Sequence, residues 1–151
     1  MAATPAEIID MLKTSYNMEL ETVLNYLNYS INLDGVRAEE IKKSLAGDVT
    51  AEIMHAQQLG ARIKQLGGQV EGAIGLKFGS QIPPSTTTTD VVHAIKAVIN
   101  AEEAACAQYK KIIQACEGED YITQDLCVRL MADEAEHLSQ FRGFLKEYTQ
   151  G

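Results

Sequence analysis

The sequence predicts an all-α fold, a four-helix bundle with one long crossover between its second and third helices. Apolar residues recur at helical spacing in four long segments, capping residues bracket each segment, and the connections between segments differ greatly in length. Thr4-Pro5-Ala6-Glu7 combines an N-cap threonine, a proline in the first turn and a glutamate three residues after the cap, so the first helix begins there. It is expected over about 5–34, ending at Asp34-Gly35, where glycine takes the left-handed closing conformation. The second helix is expected over about 37–66, ending at Gly67-Gly68. From 67 to 88 the glycines, the Pro83-Pro84 pair and the Thr86–Thr89 run carry no helical period, and the segment reads as loop. A third helix is expected over about 90–117, from Thr89-Asp90 to Glu117-Gly118, and a fourth over about 120–148.

Connection length sets the topology. Helices one and two, and helices three and four, are joined by a few residues, which makes each pair an antiparallel hairpin. The twenty or so residues between helices two and three can run the length of a bundle at roughly 3.3 Å each, so those helices lie parallel. With 151 residues, 46% of them hydrophobic, the chain is expected to form one domain spanning 1–151.

Within that frame four glutamates fall on apolar stripes. At about 100° per residue, Glu19 sits among Ile8, Leu12, Tyr16, Val23 and Tyr26, whereas Glu21 points with Asp10, Asn17 and Asn28 toward water. Glu52 is centred among Ile41, Leu45, Val49, Leu59, Ile63 and Leu66. Glu102 lies among Val91, Ile95, Val98, Tyr109 and Ile113, and Glu134 among Cys127, Leu130, Met131, Leu138, Phe141 and Leu145, with Asp133 and Glu136 turned away. Glu52-Ile53-Met54-His55 and Glu134-Ala135-Glu136-His137 are both Glu-x-x-His, a spacing that puts each pair on one helical face. Burying four ionised carboxylates without counter-charge costs several kcal/mol each. No lysine or arginine occupies the middle of these stripes, so the expected counter-charge is a pair of divalent ions held by Glu19, Glu52, His55, Glu102, Glu134 and His137.

The net charge of -8 without a basic arm argues against nucleic acid and anionic membranes as partners and suits a protein that attracts cations. No apolar run nears the roughly 20 residues that span a bilayer, and Met1-Ala2-Ala3-Thr4-Pro5 has no secretion-signal pattern. Three cysteines without CxxC spacing indicate a reducing compartment, so a cytoplasmic location is expected.

With these residues in view the chain resembles the ferritin-like superfamily, and within it bacterioferritin. The resemblance runs from Met11 to Tyr148 and rests on Met18–Tyr26, Ala51–Ala56 and Asp133–Leu138. It implies a left-handed four-helix bundle in which Glu52 and Glu134 bridge two irons, His55 and His137 bind one each, and Glu19 and Glu102 are terminal ligands. Tyr26 matches the family's tyrosine beside the metals and joins the six as a candidate catalytic residue, able to hydrogen-bond a ligand or donate an electron. Haem is not expected, because the haem-binding methionine of bacterioferritin directly follows the first Glu of Glu-x-x-His, and Ile53 stands there with Met54 one place late. The sequence runs to Gly151 soon after the fourth helix, which brings it nearer to Dps-like mini-ferritins, including a thiol-bearing group, than to large shells with a fifth helix. Cys106 and Cys127 fit that comparison as a conceivable redox pair or, more plainly, as buried fillers.

Carboxylate oxygens with one imidazole per metal suit Fe(II), Mn(II) or Zn(II). The expected function is ferroxidation of Fe(II) by O2 or H2O2, with iron storage or detoxification in an assembled shell. Two alternatives stay open: a di-metal oxidase, peroxidase or manganese catalase without storage, and a non-catalytic metal-binding bundle. Asp48, one turn before Glu52, is either a carboxylate supporting the site or a stripe-edge charge, and His93 is read as a surface histidine. The apolar crossover residues Ala73–Phe78 and Ile82 exceed what a solvated loop needs, so at least a dimer is expected, and by resemblance a shell of twelve or twenty-four subunits.

Overall fold

A computed structural model describes residues 3–150; Met1, Ala2 and Gly151, which the expected domain and the reading of the N-terminus included, lie outside the described residues. Four long helices form where the periodicity places them: α1 (Pro5–Asn32), α2 (Glu39–Gln65), α3 (Val91–Ala115) and α4 (Tyr121–Thr149), and the described residues contain no strand. The starts follow the caps. Thr4 accepts from the Glu7 N–H while Glu7 reaches back to the Thr4 N–H, Asp90 accepts from His93 N–H, and Asp120 accepts from Thr123 N–H. At the end of α2 the Gly67 N–H donates to Lys64 O and the Gly68 N–H to Ile63 O, a Schellman closure that needs the φ of 93° taken by Gly67.

Three boundaries differ from expectation by two residues; one is the end of α3, at Ala115 where about 117 was expected. Helix α1 ends at Asn32 because Asp34 turns out of the helix to pair with Thr88: its N–H donates to Thr88 O, and the Thr88 hydroxyl donates to its carboxylate. Residues Val36–Ala38 then form a short 3-10 turn, so α2 starts two residues later than its periodicity indicates.

The helices pack as two hydrophobic clusters with the polar level between them. One joins Tyr26 and Tyr29 of α1, Ile41 and Leu45 of α2, Ile95 and Val98 of α3, and Phe141 of α4. The other joins Ile8 and Leu12, Leu59 and Ile63, Tyr109 and Ile112, and Leu126 and Leu130. The late half of α1 thus meets the early halves of α2 and α3 and the late half of α4. That membership gives α1 antiparallel to α2, α2 parallel to α3, and α3 antiparallel to α4, the crossover topology. Each fully buried Leu or Ile in these clusters contributes about 1.5–3 kcal/mol of burial, and this is what sustains a polar interior.

The crossover lies on the outer face of α1, which corrects the expectation that Glu21 and Asn17 face water. Glu21 is buried and accepts from the N–H groups of Gly79 (2.9 Å), Ser80 (3.3 Å) and Gln81 (2.6 Å). Asn17 pairs with the backbone of Lys77 through both its amide atoms, at 2.7 Å each. The expected surface histidine, His93, is half-buried and reaches Pro83 O at 2.9 Å, fastening the far end of the same loop.

Candidate metal centre

Each glutamate on an apolar stripe enters the space between the two clusters. Glu19, Glu52, Glu102, Glu134 and His55 are buried, and His137 is half-buried. They form two groups, Glu19–Glu52–His55–Glu134 and Glu52–Glu102–Glu134–His137, in each of which four ligand atoms lie within 4.8 Å of one another. Glu52 and Glu134 belong to both.

The arrangement has an approximate two-fold equivalence. Nδ1 of His55 is 2.7 Å from Glu134 Oε1 and 3.4 Å from both Glu19 Oε2 and Glu52 Oε2. Nδ1 of His137 is 3.4 Å from Glu52 Oε1, 3.7 Å from Glu134 Oε2 and 3.8 Å from Glu102 Oε1. The hydroxyl of Tyr109 donates to Glu19 Oε1 at 2.8 Å, and that of Tyr26 donates to Glu102 Oε1 at 2.5 Å. One oxygen of each outer carboxylate is thereby fixed by a tyrosine. The other oxygen of each, Oε2, is buried without a hydrogen-bond partner.

Those orphaned atoms test whether the residues fit a metal pair. Glu19 Oε2, Glu52 Oε1, Glu102 Oε2, Glu134 Oε2 and His137 Nδ1 are all buried and unpartnered. Leaving one such group unmet costs about 1–3 kcal/mol, more for a charged one, so five of them in one pocket are atoms that bound cations would satisfy. Among the described residues no lysine or arginine pairs with these glutamates; their ion-pair partners are the two histidines. The donor set, four carboxylates and two imidazoles, fits two divalent ions.

The metal-free electrostatics agree with this fit. Burial and the neighbouring Glu19 carboxylate push Glu52 well above the usual carboxylate range. Burial also raises Glu134, but the nearby His137 imidazole and the hydrogen bond with His55 outweigh it and hold Glu134 down to about 2. For His137, burial opposes the charge, yet Glu134 and Glu52 carry it up to about 10. His55 is raised further, by Glu134, Glu19 and Glu52 against its own burial. The two imidazoles are thus the positive charges that face the four carboxylates.

Residues around the centre complete the account. Asp48 is buried with its Oδ1 3.4 Å from His137 Nε2, beside the centre. Asp133, expected to turn away, points outward yet reaches His55 Nε2 at 3.0 Å. Tyr16 is half-buried and is not hydrogen-bonded to the cluster, unlike Tyr26 and Tyr109. Cys106 is half-buried with its thiol toward Met131 O, while Cys127 and Cys116 are buried, their thiols raised by burial to about 12 and about 11. Ile53 and Met54 are both exposed on α2.

A crossover four-helix bundle with a buried carboxylate and histidine centre between two hydrophobic clusters defines a ferritin-like protein. A family model for the ferritin-like domain (Ferritin) matches residues 9–150, and the chain belongs to that family. It is similar to the bacterioferritin of Desulfovibrio desulfuricans, with 27% identity over 141 residues that cover 90% of this chain and 73% of that protein. In fold it is similar to a dodecameric thioferritin, the bacterioferritin-related protein of Bacteroides fragilis, with a TM-score of 0.89 at 21% identity, covering 97% of this chain and 89% of that one. The structure of the Desulfovibrio desulfuricans bacterioferritin, described with its diiron site, gives a TM-score of 0.83 at 22% identity over 97% of this chain and 82% of that one. A Mycobacterium smegmatis Dps1 mutant gives 0.81 at 17% identity, over 93% and 96%. No helix among the described residues is long and apolar enough to cross a membrane.

Proposed function

We propose that the protein is a ferroxidase that takes Fe(II) into the paired site and oxidises it with O2 or H2O2, withdrawing iron as ferric mineral where the chains assemble into a shell. The observation that carries this reading is the sharing of Glu52 and Glu134 by two four-residue groups, in each of which buried carboxylate oxygens lack hydrogen-bond partners. Two Fe(II) ions carry four positive charges, matching four carboxylates once both histidines turn a deprotonated Nδ1 inward. In this reading Glu52 and Glu134 would be shared by both ions, Glu19 and His55 would hold one and Glu102 and His137 the other, while Tyr109 and Tyr26 fix one oxygen of each outer carboxylate and leave Oε2 free. Two Fe(II) supply two electrons, enough with two protons to take H2O2 to two waters or O2 to H2O2. Oxygen ligands with one imidazole per ion also accept Mn(II) and Zn(II), so metal preference is part of the test.

The exposed apolar residues Ile74, Phe78 and Ile82 of the crossover, with Leu24, Leu27 and Ile31 on α1, support at least a homodimer. The dodecameric state of the Bacteroides fragilis relative favours a twelve-subunit shell. Three free thiols suit a reducing compartment, and on that ground the protein is placed in the cytoplasm.

The test is aerobic addition of Fe(II) to metal-free protein, followed by ferric absorbance, with particle mass measured on the same sample. A fast phase that saturates at two Fe(II) per chain supports the reading; oxidation no faster than in buffer overturns it.

A further inference from the structure

The crossover is fastened to α1 along one ridge. Asn17, Glu21 and Asn25, spaced four apart and so stacked on one side of the helix, take the backbone of Lys77, the N–H groups of Gly79, Ser80 and Gln81, and the Gln81 side chain. Gln81 also donates to Thr22 Oγ1 at 2.8 Å and to Met18 O at 3.3 Å. Beside this ridge, toward α3, the crossover leaves a cavity of about 560 Å³, bounded by Met18 of α1, Leu76 and Lys77 of the crossover, and Asn100 and Ala104 of α3. Hydrogen bonds hold its crossover wall, so the cavity is formed before anything enters it. Its volume is that of a small-molecule site, on the order of 300–1,000 Å³.

Three charged residues line it. Lys13 of α1 pairs with Glu71 of the crossover at 3.5 Å. Lys77 has no ion-pair partner among the described residues, which leaves its charge to an occupant in a chain whose net charge is -8. Tyr16, Met18, Leu76 and Ala104 supply an apolar wall next to it. A cation would be repelled by Lys77, and a neutral apolar molecule would use the wall alone; an anion with an apolar body uses both. We propose that this cavity binds a small amphipathic organic anion, its carboxylate or sulfonate on the Lys77 ammonium and its apolar body against Met18 and Leu76. The site shares no residue with the carboxylate and histidine centre, so it stands or falls independently of the metal-binding reading.

Anilinonaphthalene sulfonate serves as the probe, titrated into the assembled protein and followed by fluorescence and calorimetry, with particle mass and circular dichroism measured on the same samples. Wild type binds it at one saturable site per chain. Lys77→Glu weakens binding about tenfold, while binding of phenylnaphthylamine, the same rings without the sulfonate, is unaltered by that change. Ala104→Phe, at an exposed position of α3, fills the cavity and abolishes the site with helix content unchanged. Ile122→Ser removes an exposed apolar residue of α4 outside the cavity and leaves binding as it was. The proposal is overturned if wild type shows no saturable site, if Lys77→Glu or Ala104→Phe binds as wild type does, or if Ile122→Ser falls as far as Ala104→Phe. It is overturned equally if Ala104→Phe lowers the particle mass, since the cavity would then be filled by a second copy of the chain.

Discussion

Replacing Glu52 by glutamine separates what the centre costs the fold from what it gains by binding metal. Glu52 is 1% exposed, its Oε1 has no partner, and burial beside Glu19 raises it well above the usual carboxylate range. A carboxyl raised in the folded state contributes stability that is complete below its unfolded value and lost as pH rises through the folded one. Neutral pH lies above the unfolded value of the carboxyl, so part or all of that stability is gone there, and the amide of Glu52→Gln, which does not titrate, avoids the loss. An unmet buried polar group costs about 1–3 kcal/mol, so metal-free Glu52→Gln is expected to melt higher than wild type by about 2–12 °C for a domain of this size. With divalent metal the order reverses. Glu52 belongs to both four-residue groups, so the variant loses both ions. At 100 times Kd each ion stabilises wild type by about 2.7 kcal/mol, and two raise its Tm by about 10–20 °C at this chain length. The assay is scanning calorimetry at pH 7 of chelator-treated protein, with and without excess Mn(II), at one protein concentration. Crossed melting curves are the signature. The reasoning is refuted if metal-free Glu52→Gln melts below wild type, since Glu52 would then be a net stabilising partner of the histidines, or if Mn(II) shifts both proteins equally.

The pH dependence of the metal-free protein follows from two opposite shifts. His137, raised to about 10, contributes stability present below its unfolded value near 6.5 and lost as pH climbs toward 10, while Glu134, lowered to about 2, contributes stability present above about 4.5 and lost as pH falls toward 2. Thermal scans should give a maximum between those limits, and a Tm that rises steadily from pH 7 to 10 would contradict it. Tyr26→Phe and Tyr109→Phe each strip the donor from one outer carboxylate, which should lower Tm by about 2–4 °C per kcal/mol lost and slow Fe(II) oxidation while uptake stays at two ions per chain; unaltered rates in both would remove the tyrosines from the mechanism. Glu21→Ala removes the acceptor for three crossover N–H groups, and a charged hydrogen bond is worth about 1.5–3 kcal/mol. Limited proteolysis within 76–86 should then speed up about tenfold or more, with helix content by circular dichroism unchanged.

Much of the fold was legible because local chemistry and tertiary packing agree. Thr4, Pro5 and Glu7 start α1 where a capping box demands, and Gly67-Gly68 close α2 by the bonds that only a left-handed glycine permits. The ligand candidates were legible for a different reason: carboxylates centred on apolar stripes conflict with burial, and such conflicts mark function. What the helical period could not show was the covering of the bundle's outside. Glu21 and Asn17 point away from the core, and they are satisfied only because the crossover crosses them with unpaired backbone groups. Asp133 was missed for a related reason. Its angle on α4 is outward, and nothing in the sequence of α4 tells that the His55 ring, from a facing helix, turns one nitrogen to meet it. Tyr109 reads as a core aromatic whose hydroxyl meets a neighbouring carboxylate; which carboxylate was not legible, because Glu19 lies ninety residues away and only the antiparallel pairing of α1 and α3 brings the two together.

Anomalous diffraction at the iron edge, on crystals soaked anaerobically in Fe(II), tests the central claim most directly. The account predicts two peaks in each chain, one beside Glu19 and His55, the other beside Glu102 and His137, with a carboxylate from Glu52 and from Glu134 between them. A single peak, or iron only on the acidic surface with the six side chains still paired to one another, would contradict it.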